Sequence, residues 1–230
     1  VEELYKQGVK NFLISIWDKN YDHFDANFFL VDNTLKALQA IAMYHRDNFI
    51  HGAELFRFPI IGVTGSNGKT IVKEWLYQLL KDKFNCCRSP KSYNSQIGVP
   101  LSVLNLNENH NLGIFEAGIS EQGEMQRLQP LIQPSIGVIT YIGPEHGENF
   151  PSLEAKRAEK MQLFSQCSTI IEDPTHQNIR TCAGVMRALG YSEEIIAKRI
   201  LHQTHETILE VNLSALVDNV RYFRSLLQPS

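Results

Sequence analysis

Apolar residues along this chain first gather into two short runs, Phe12 to Trp17 and Phe28 to Val31, separated by a stretch rich in Asp and Asn. Each run has strand length and predicts a strand. Asp32 or Asn33 then offers a cap to a helix whose apolar residues Leu35, Leu38, Ile41 and Ala42 recur at helical spacing and fade near Phe49. Pro59 to Val63 is a continuous apolar run and predicts a strand buried on both faces. The helix predicted after it carries Ile71, Val72, Trp75, Leu76, Leu79 and Leu80 on one face, leaves Lys73, Glu74, Lys81 and Asp82 elsewhere, and ends near Phe84. Strands are also predicted at Leu112 to Phe115 and Ile136 to Tyr141, the latter followed by a helix over Ser152 to Phe164. Alternating strands and helices of this kind predict an α/β fold with a parallel sheet covered by helices on both faces, whose ligands gather at the carboxyl ends of the strands. The pattern breaks at the end, where Thr207 to Leu213 predicts a strand and Ser214 caps a helix with Leu216, Val217, Val220, Phe223 and Leu227 on its apolar face.

Composition narrows the function classes. At 230 residues, 43% apolar and 20% charged, the chain has the make-up of a soluble globular protein with a sizeable core. A net charge of -3 argues against nucleic acid as a partner. No apolar run reaches the ~18 residues a membrane span needs, and the N-terminus lacks a signal-peptide layout, so a cytoplasmic location without membrane insertion is expected. Cys86, Cys87, Cys167 and Cys182 form no C-x-x-C pair and are expected to be reduced and mostly buried.

The segment Thr64-Gly65-Ser66-Asn67-Gly68-Lys69-Thr70 lies between a predicted strand and a predicted helix. Glycines there let backbone N–H groups point at phosphate oxygens while the helix N-terminus adds partial positive charge. In such a loop Lys69 reaches the β- and γ-phosphates of ATP and the Thr70 hydroxyl ligates Mg²⁺. Val63 stands where the motif has its first glycine, with Gly62 one place earlier. The plain alternative is a Gly-rich turn. Glu116, at the exit of the next strand, is a candidate Mg²⁺ ligand or else a solvated strand-end glutamate. His146 follows the third strand and is as readily a hydrogen-bonded loop residue, and Lys160 by itself reads as a surface lysine.

Taken together and in order, the phosphate loop, Asn94-Ser95-Gln96-Ile97-Gly98-Val99-Pro100, Glu116-Ala117-Gly118, His146 and Lys160 resemble the Mur ligases of peptidoglycan synthesis. The Ile97-Gly98-Val99-Pro100-Leu101 run and the leader Val31 to Leu38 resemble the branch that joins D-alanyl-D-alanine to a UDP-N-acetylmuramoyl-tripeptide. The resemblance covers most of residues 1 to 201. It implies transfer of the ATP γ-phosphoryl to a substrate carboxylate, giving an acyl phosphate that the amine then attacks. It assigns Lys69 to the phosphates, Thr70 and Glu116 to one Mg²⁺, His146 to a second, and makes Lys160 similar to a lysine that is carbamylated into an anionic metal ligand. Asn94 and Gln96 fall on the substrate side. Ser92, Ser95 and Gly147 depart from the family pattern.

Residues 1 to 57 then correspond to part of a nucleotide-sugar-binding domain, and residues 58 to 203 to the central ATP-binding domain. Phe164 to Asn178 is too short for the remaining central strands, so interior sequence is expected to be missing, as is the family's C-terminal domain after Leu201. Residues 204 to 230 form a third segment, in which Ile208 to Asn219 resembles the opening of an alanine racemase. That resemblance implies a bifunctional ligase and racemase, with pyridoxal phosphate and a homodimer in the racemase half. Two other readings are a nucleotide-binding module without turnover and a related ligase such as a folate polyglutamate ligase.

Overall fold

The computed structural model describes residues 1–52, 58–144 and 149–201. His146 and the C-terminal strand and helix expected from Thr207 onward lie outside the described residues. A short helix α1 (Glu2–Lys6) precedes two strands, β1 (Asn11–Ile14) and β2 (Asn27–Leu30), which pair in parallel with Phe12 opposite Phe28. The expected first strand ran to Trp17, but the chain leaves it after Ile14 because Asp18 caps a 3₁₀ turn, Lys19–His23, by accepting from the Asn20 amide at 2.9 Å. Tyr21 and Phe12 stack on Phe28, with centroids 5.0 and 5.3 Å away, and Trp17 meets it edge-on. Helix α2 (Thr34–Gly52) follows, and of its two candidate caps it is Asn33 that accepts from the Lys36 amide, at 2.9 Å.

The main sheet is built from β3 (Ile60–Thr64), β4 (Cys86–Arg88), β5 (Leu112–Ala117), β6 (Ile136–Ile139) and β7 (Thr169–Glu172), with α3 (Lys69–Leu80), α4 (Gly98–Val103), α5 (Glu124–Ile132), α6 (Leu153–Met161) and α7 (Asn178–Ala188) between and after them. All pairings are parallel and the strand order is β4-β5-β3-β6-β7, so the expected helix-covered parallel sheet is present. Side chains alternate across it. Ile61, Val63, Ile114 and Val138 pack beneath α3 and α7, whereas Ile60, Phe115, Ala117 and Ile139 pack beneath α2, α4 and α5. The chain builds β4 and β5 on one side of β3, then crosses to build β6 and β7 on the other. The crevice at β3's carboxyl end is thus the topological switch point where such sheets place ligands.

Two residues of α3 depart from expectation. Lys73, assigned by periodicity to the polar side, is 0% exposed, while Ile71, assigned to the apolar face, is 48% exposed. The thiols follow expectation, since all four are free, with Cys86, Cys87 and Cys182 buried. Burial pushes Cys86 and Cys167 up to about 11 and Cys87 to about 12, so none is a thiolate at neutral pH.

Gly62 and Gly137 sit side by side in the β3–β6 register, making a flat patch on which Pro134, Leu163 and Phe164 rest. A Cβ at Gly137 would lie 2.6 Å from the Phe164 ring, and Phe164 is itself core. Gly137→Ala is therefore expected to destabilise the protein by about 1–3 kcal/mol through overpacking, read as a lower urea midpoint; an unchanged midpoint would show that the ring has room to move.

Candidate functional site

The phosphate loop leaves β3 at Thr64, whose hydroxyl donates to the Ala117 carbonyl at 2.8 Å and so ties the exits of β3 and β5 together. On the other flank the Thr140 hydroxyl reaches the carbonyls of Thr64 at 3.2 Å and Asn67 at 2.6 Å, and the Tyr141 carbonyl accepts from the Ser66 amide at 2.7 Å. Gly65 is required by space: a Cβ there would lie 1.9 Å from Thr140 Oγ1. Gly68 has φ of 87° and turns the chain into α3 at Lys69, presenting the helix N-terminus to the crevice. Lys69 Nζ arches back over the loop, donating to the carbonyls of Gly65 at 2.9 Å and Ser66 at 2.7 Å.

In the first turn of α3, Thr70 Oγ1 donates to Glu116 Oε2 at 3.1 Å and lies 3.2 Å from Ser92 Oγ. Glu116 is fully buried at the end of β5, and its Oε1 makes no hydrogen bond. A hydroxyl and a carboxylate, all oxygen, with one buried carboxylate oxygen that makes no hydrogen bond and is met by the Lys73 ammonium at 3.1 Å, form a donor set suited to a hard divalent cation such as Mg²⁺.

Lys160 is 2% exposed on α6 and donates to the Gly65 carbonyl at 3.1 Å, which overturns its reading as a surface lysine. Lys156, one turn earlier on the same face and 1% exposed, donates to the Gly143 carbonyl at 2.7 Å. Sequence reasoning passed over Lys156, though its i,i+4 spacing from Lys160 was a usable signal. A cleft of about 230 Å³ opens here. Its cations are Lys69, Lys156 and Lys160, and Asn94, Ser95 and Ser120 add neutral polar groups. That volume accommodates a phosphoryl or carboxyl group rather than a whole nucleotide. Asn94 lines the cleft as expected of a substrate-side residue. Gln96 does not: its amide donates to the Glu124 carbonyl at 3.0 Å and its Oε1 accepts from Gln39 of α2 at 3.2 Å. Thr70 and Glu116 likewise do not line the cleft.

The family model for the Mur ligase middle domain matches residues 63–217. The chain belongs to the Mur ligase family. As a Mur ligase chain it is 37% identical over 139 residues to the UDP-N-acetylmuramoyl-tripeptide–D-alanyl-D-alanine ligase of Borreliella burgdorferi, covering 60% of this chain and 28% of that protein. It is 32% identical over 190 residues to the same-named ligase of Bacillus subtilis, covering 79% and 39% respectively. The Mur ligase chain thus spans well under half the length of these relatives. Among solved structures, the MurF ligase of Thermotoga maritima in complex with ADP superposes with a TM-score of 0.61 at 27% identity, covering 76% of this chain and 39% of that one. A MurF structure from Acinetobacter baumannii reaches 0.73 at 19% identity, covering 87% and 55%, and shares the fold.

Glu124 shapes the cleft's acidic side. Burial pushes its carboxyl up, but the amides of Ser120 and Glu121 and the Ser120 hydroxyl, all on Oε2 within 3.0 Å, together hold it below its ordinary value. A carboxyl depressed in the folded state contributes stability that is full above the unfolded value of about 4.3 and is lost as pH falls through the folded value. Glu124→Gln is expected to be less stable than the parent at pH 6, and to lose less melting temperature than the parent between pH 6 and pH 3. Equal losses would mean that the three-donor cradle contributes nothing.

Proposed function

We propose that this chain is the ATP-handling part of a ligase that joins D-alanyl-D-alanine to a UDP-N-acetylmuramoyl-tripeptide, in the cytoplasm, during assembly of peptidoglycan precursors. The observation that carries the proposal is the convergence of the Thr70 hydroxyl and the buried Glu116 carboxylate beside a phosphate loop crossed by Lys69. A carboxylate is a poor electrophile toward an amine, so the reaction runs through γ-phosphoryl transfer from ATP to the substrate carboxylate and attack by the amine on the acyl phosphate. Thr70 and Glu116 would hold Mg²⁺, which when bound would neutralise phosphate charge.

The chain's own residues do the positioning. Backbone amides at the start of α3 and the Lys69 ammonium hold the β- and γ-phosphates of ATP, and the cleft bounded by Lys156, Lys160 and Asn94 receives the group to be phosphorylated. In the same proposal His146 serves a second Mg²⁺, Lys160 acts as its carbamate, and Gln96 supports the substrate side by holding the backbone that leads to Glu124. The names of the relatives from Borreliella and Bacillus support the acceptor assignment over a folate. Residues 204–230 are proposed to open an alanine-racemase half that binds pyridoxal phosphate and pairs subunits. The support is the Ile208 to Asn219 run alone, and residues up to 217 of it fall within the Mur ligase family match, which runs against the racemase assignment. Racemisation of L-alanine by the complete gene product would check this, and its absence would remove that half.

A second reading has a specific observation in its favour. A module that binds nucleotide without turning it over rests on the phosphate loop alone, with Lys69 crossing it. Phosphate release by the full chain with ATP, Mg²⁺ and the tripeptide precursor separates the two readings. The ligase requires release that depends on added D-alanyl-D-alanine; nucleotide binding with no such release supports the module, and preference for a folate acceptor refutes the assignment. In the same system Lys69→Ala is expected to weaken ATP use by at least tenfold, because a charge-assisted phosphate contact is worth about 1.5–3 kcal/mol. Unchanged ATP binding and use would remove the phosphate loop from the proposal.

A further inference from the structure

We propose that Lys73 is a positioning residue whose buried ammonium sets the orientation of Glu116 and of the 89–92 loop toward the metal. The proposal rests on the nucleotide-and-metal reading above. Lys73 follows Thr70 by one helical turn on α3 and is 0% exposed. An ammonium is expensive to bury, and an apolar side chain of similar length would serve a helix–sheet contact better, so a charge retained here needs a use.

Its partners identify that use. Nζ donates to the Ser89 carbonyl at 2.8 Å and to the Lys91 carbonyl, lies 3.0 Å from Glu74 Oε1, and lies 3.1 Å from Glu116 Oε1. Glu74 is partly exposed and also engages Arg88 at 3.1 Å, so it faces outward, whereas Glu116 is fully buried. The Glu116 oxygen next to Lys73 is the one that makes no hydrogen bond, and the other oxygen accepts from Thr70. Each carboxylate oxygen therefore has its own neighbour on α3, and rotating the carboxylate would lose both.

The same ammonium fastens the loop that approaches Thr70. Ser89 Oγ accepts from the Glu116 amide at 3.1 Å, Lys91 takes a left-handed φ of 49°, and Ser92 Oγ lies 3.2 Å from Thr70 Oγ1. Lys73, itself on α3, thus joins the Glu116 side chain at the end of β5 to two carbonyls of the loop after β4, around the two oxygen donors. It does not line the cleft that Lys69, Lys156 and Lys160 enter, so it is no phosphate contact. Its effect runs through Glu116 and Ser92, as that of an outer partner on a metal ligand does.

The test is titration of the full chain with ADP, once in EDTA and once in excess Mg²⁺, on the parent and on Lys73→Met. The parent is expected to bind ADP more tightly with Mg²⁺. Lys73→Met is expected to keep the EDTA affinity within about twofold while at least tenfold of the Mg²⁺-dependent gain disappears, the scale of outer-partner effects on metal affinity. A full Mg²⁺ gain in Lys73→Met would overturn the proposal. Lys73→Gln, which keeps a donor for the loop carbonyls without the charge, is measured in parallel. If neither variant retains the EDTA affinity, Lys73 holds the fold rather than the carboxylate, and the proposal falls. A parent that gains nothing from Mg²⁺ would instead strike the metal reading itself, an outcome visible before any variant is made.

Discussion

The contact between Thr140 and the turn Thr64–Asn67 is the constraint on which the site depends. Its hydroxyl bridges two loop carbonyls, and it packs where any side chain at position 65 would have to be. The loop is therefore shaped by the neighbouring strand as much as by its own glycines. That neighbour is placed by the β3–β6 register, with Thr64 opposite Ile139, and the register is held by the paired glycines beneath Pro134 and Phe164. A displacement in the core below would be passed upward to the loop, because closely packed interiors shift as units.

What was legible in the sequence follows from the same physics. Strands β3, β5 and β6 are central and apolar on both faces, so the runs at Pro59, Leu112 and Ile136 announced them, and helices α2 and α3 announced themselves by period. Strand β4 has three residues and β7 is a partly exposed edge, so neither produces a run of adequate length. Helix α5 contains Pro130, whose ring argues against a helix, and its N-terminal Met125 amide is satisfied from a distance by Glu159 at 3.1 Å. No local pattern reveals a partner 34 residues away. At the site, Lys69, Thr70 and Glu116 could be named because loop motif and strand exit place them, and Asn94 because the family resemblance carries it. Lys73 and Lys156 could not, because lysine is read as a surface residue until the fold shows what surrounds it. Gln96 was legible as a site neighbour, while its occupation by Gln39 and Glu124 depends on where α2 packs.

The buried lysines also explain how a chain with net charge of -3 can prepare a place for polyanions. Net charge governs the distant field, whereas binding at a crevice depends on the charges within a few ångströms, where solvent screening is weakest. Lys69, Lys73, Lys156 and Lys160 converge around one loop, and each donates to backbone carbonyls, those of Gly65, Ser66, Gly143, Ser89 and Lys91 among them. Carbonyl dipoles stabilise a buried cation without cancelling its charge, as a full set of carboxylates would. Glu116, fully buried, does not line the cleft, whereas Lys69, Lys156 and Lys160 do, beside a Glu124 carboxylate that the Ser120 and Glu121 amides hold. In the proposed function the Lys69 end of the loop meets phosphate, while Thr70 and Glu116, the latter paired with Lys73 at 3.1 Å, are kept for the metal.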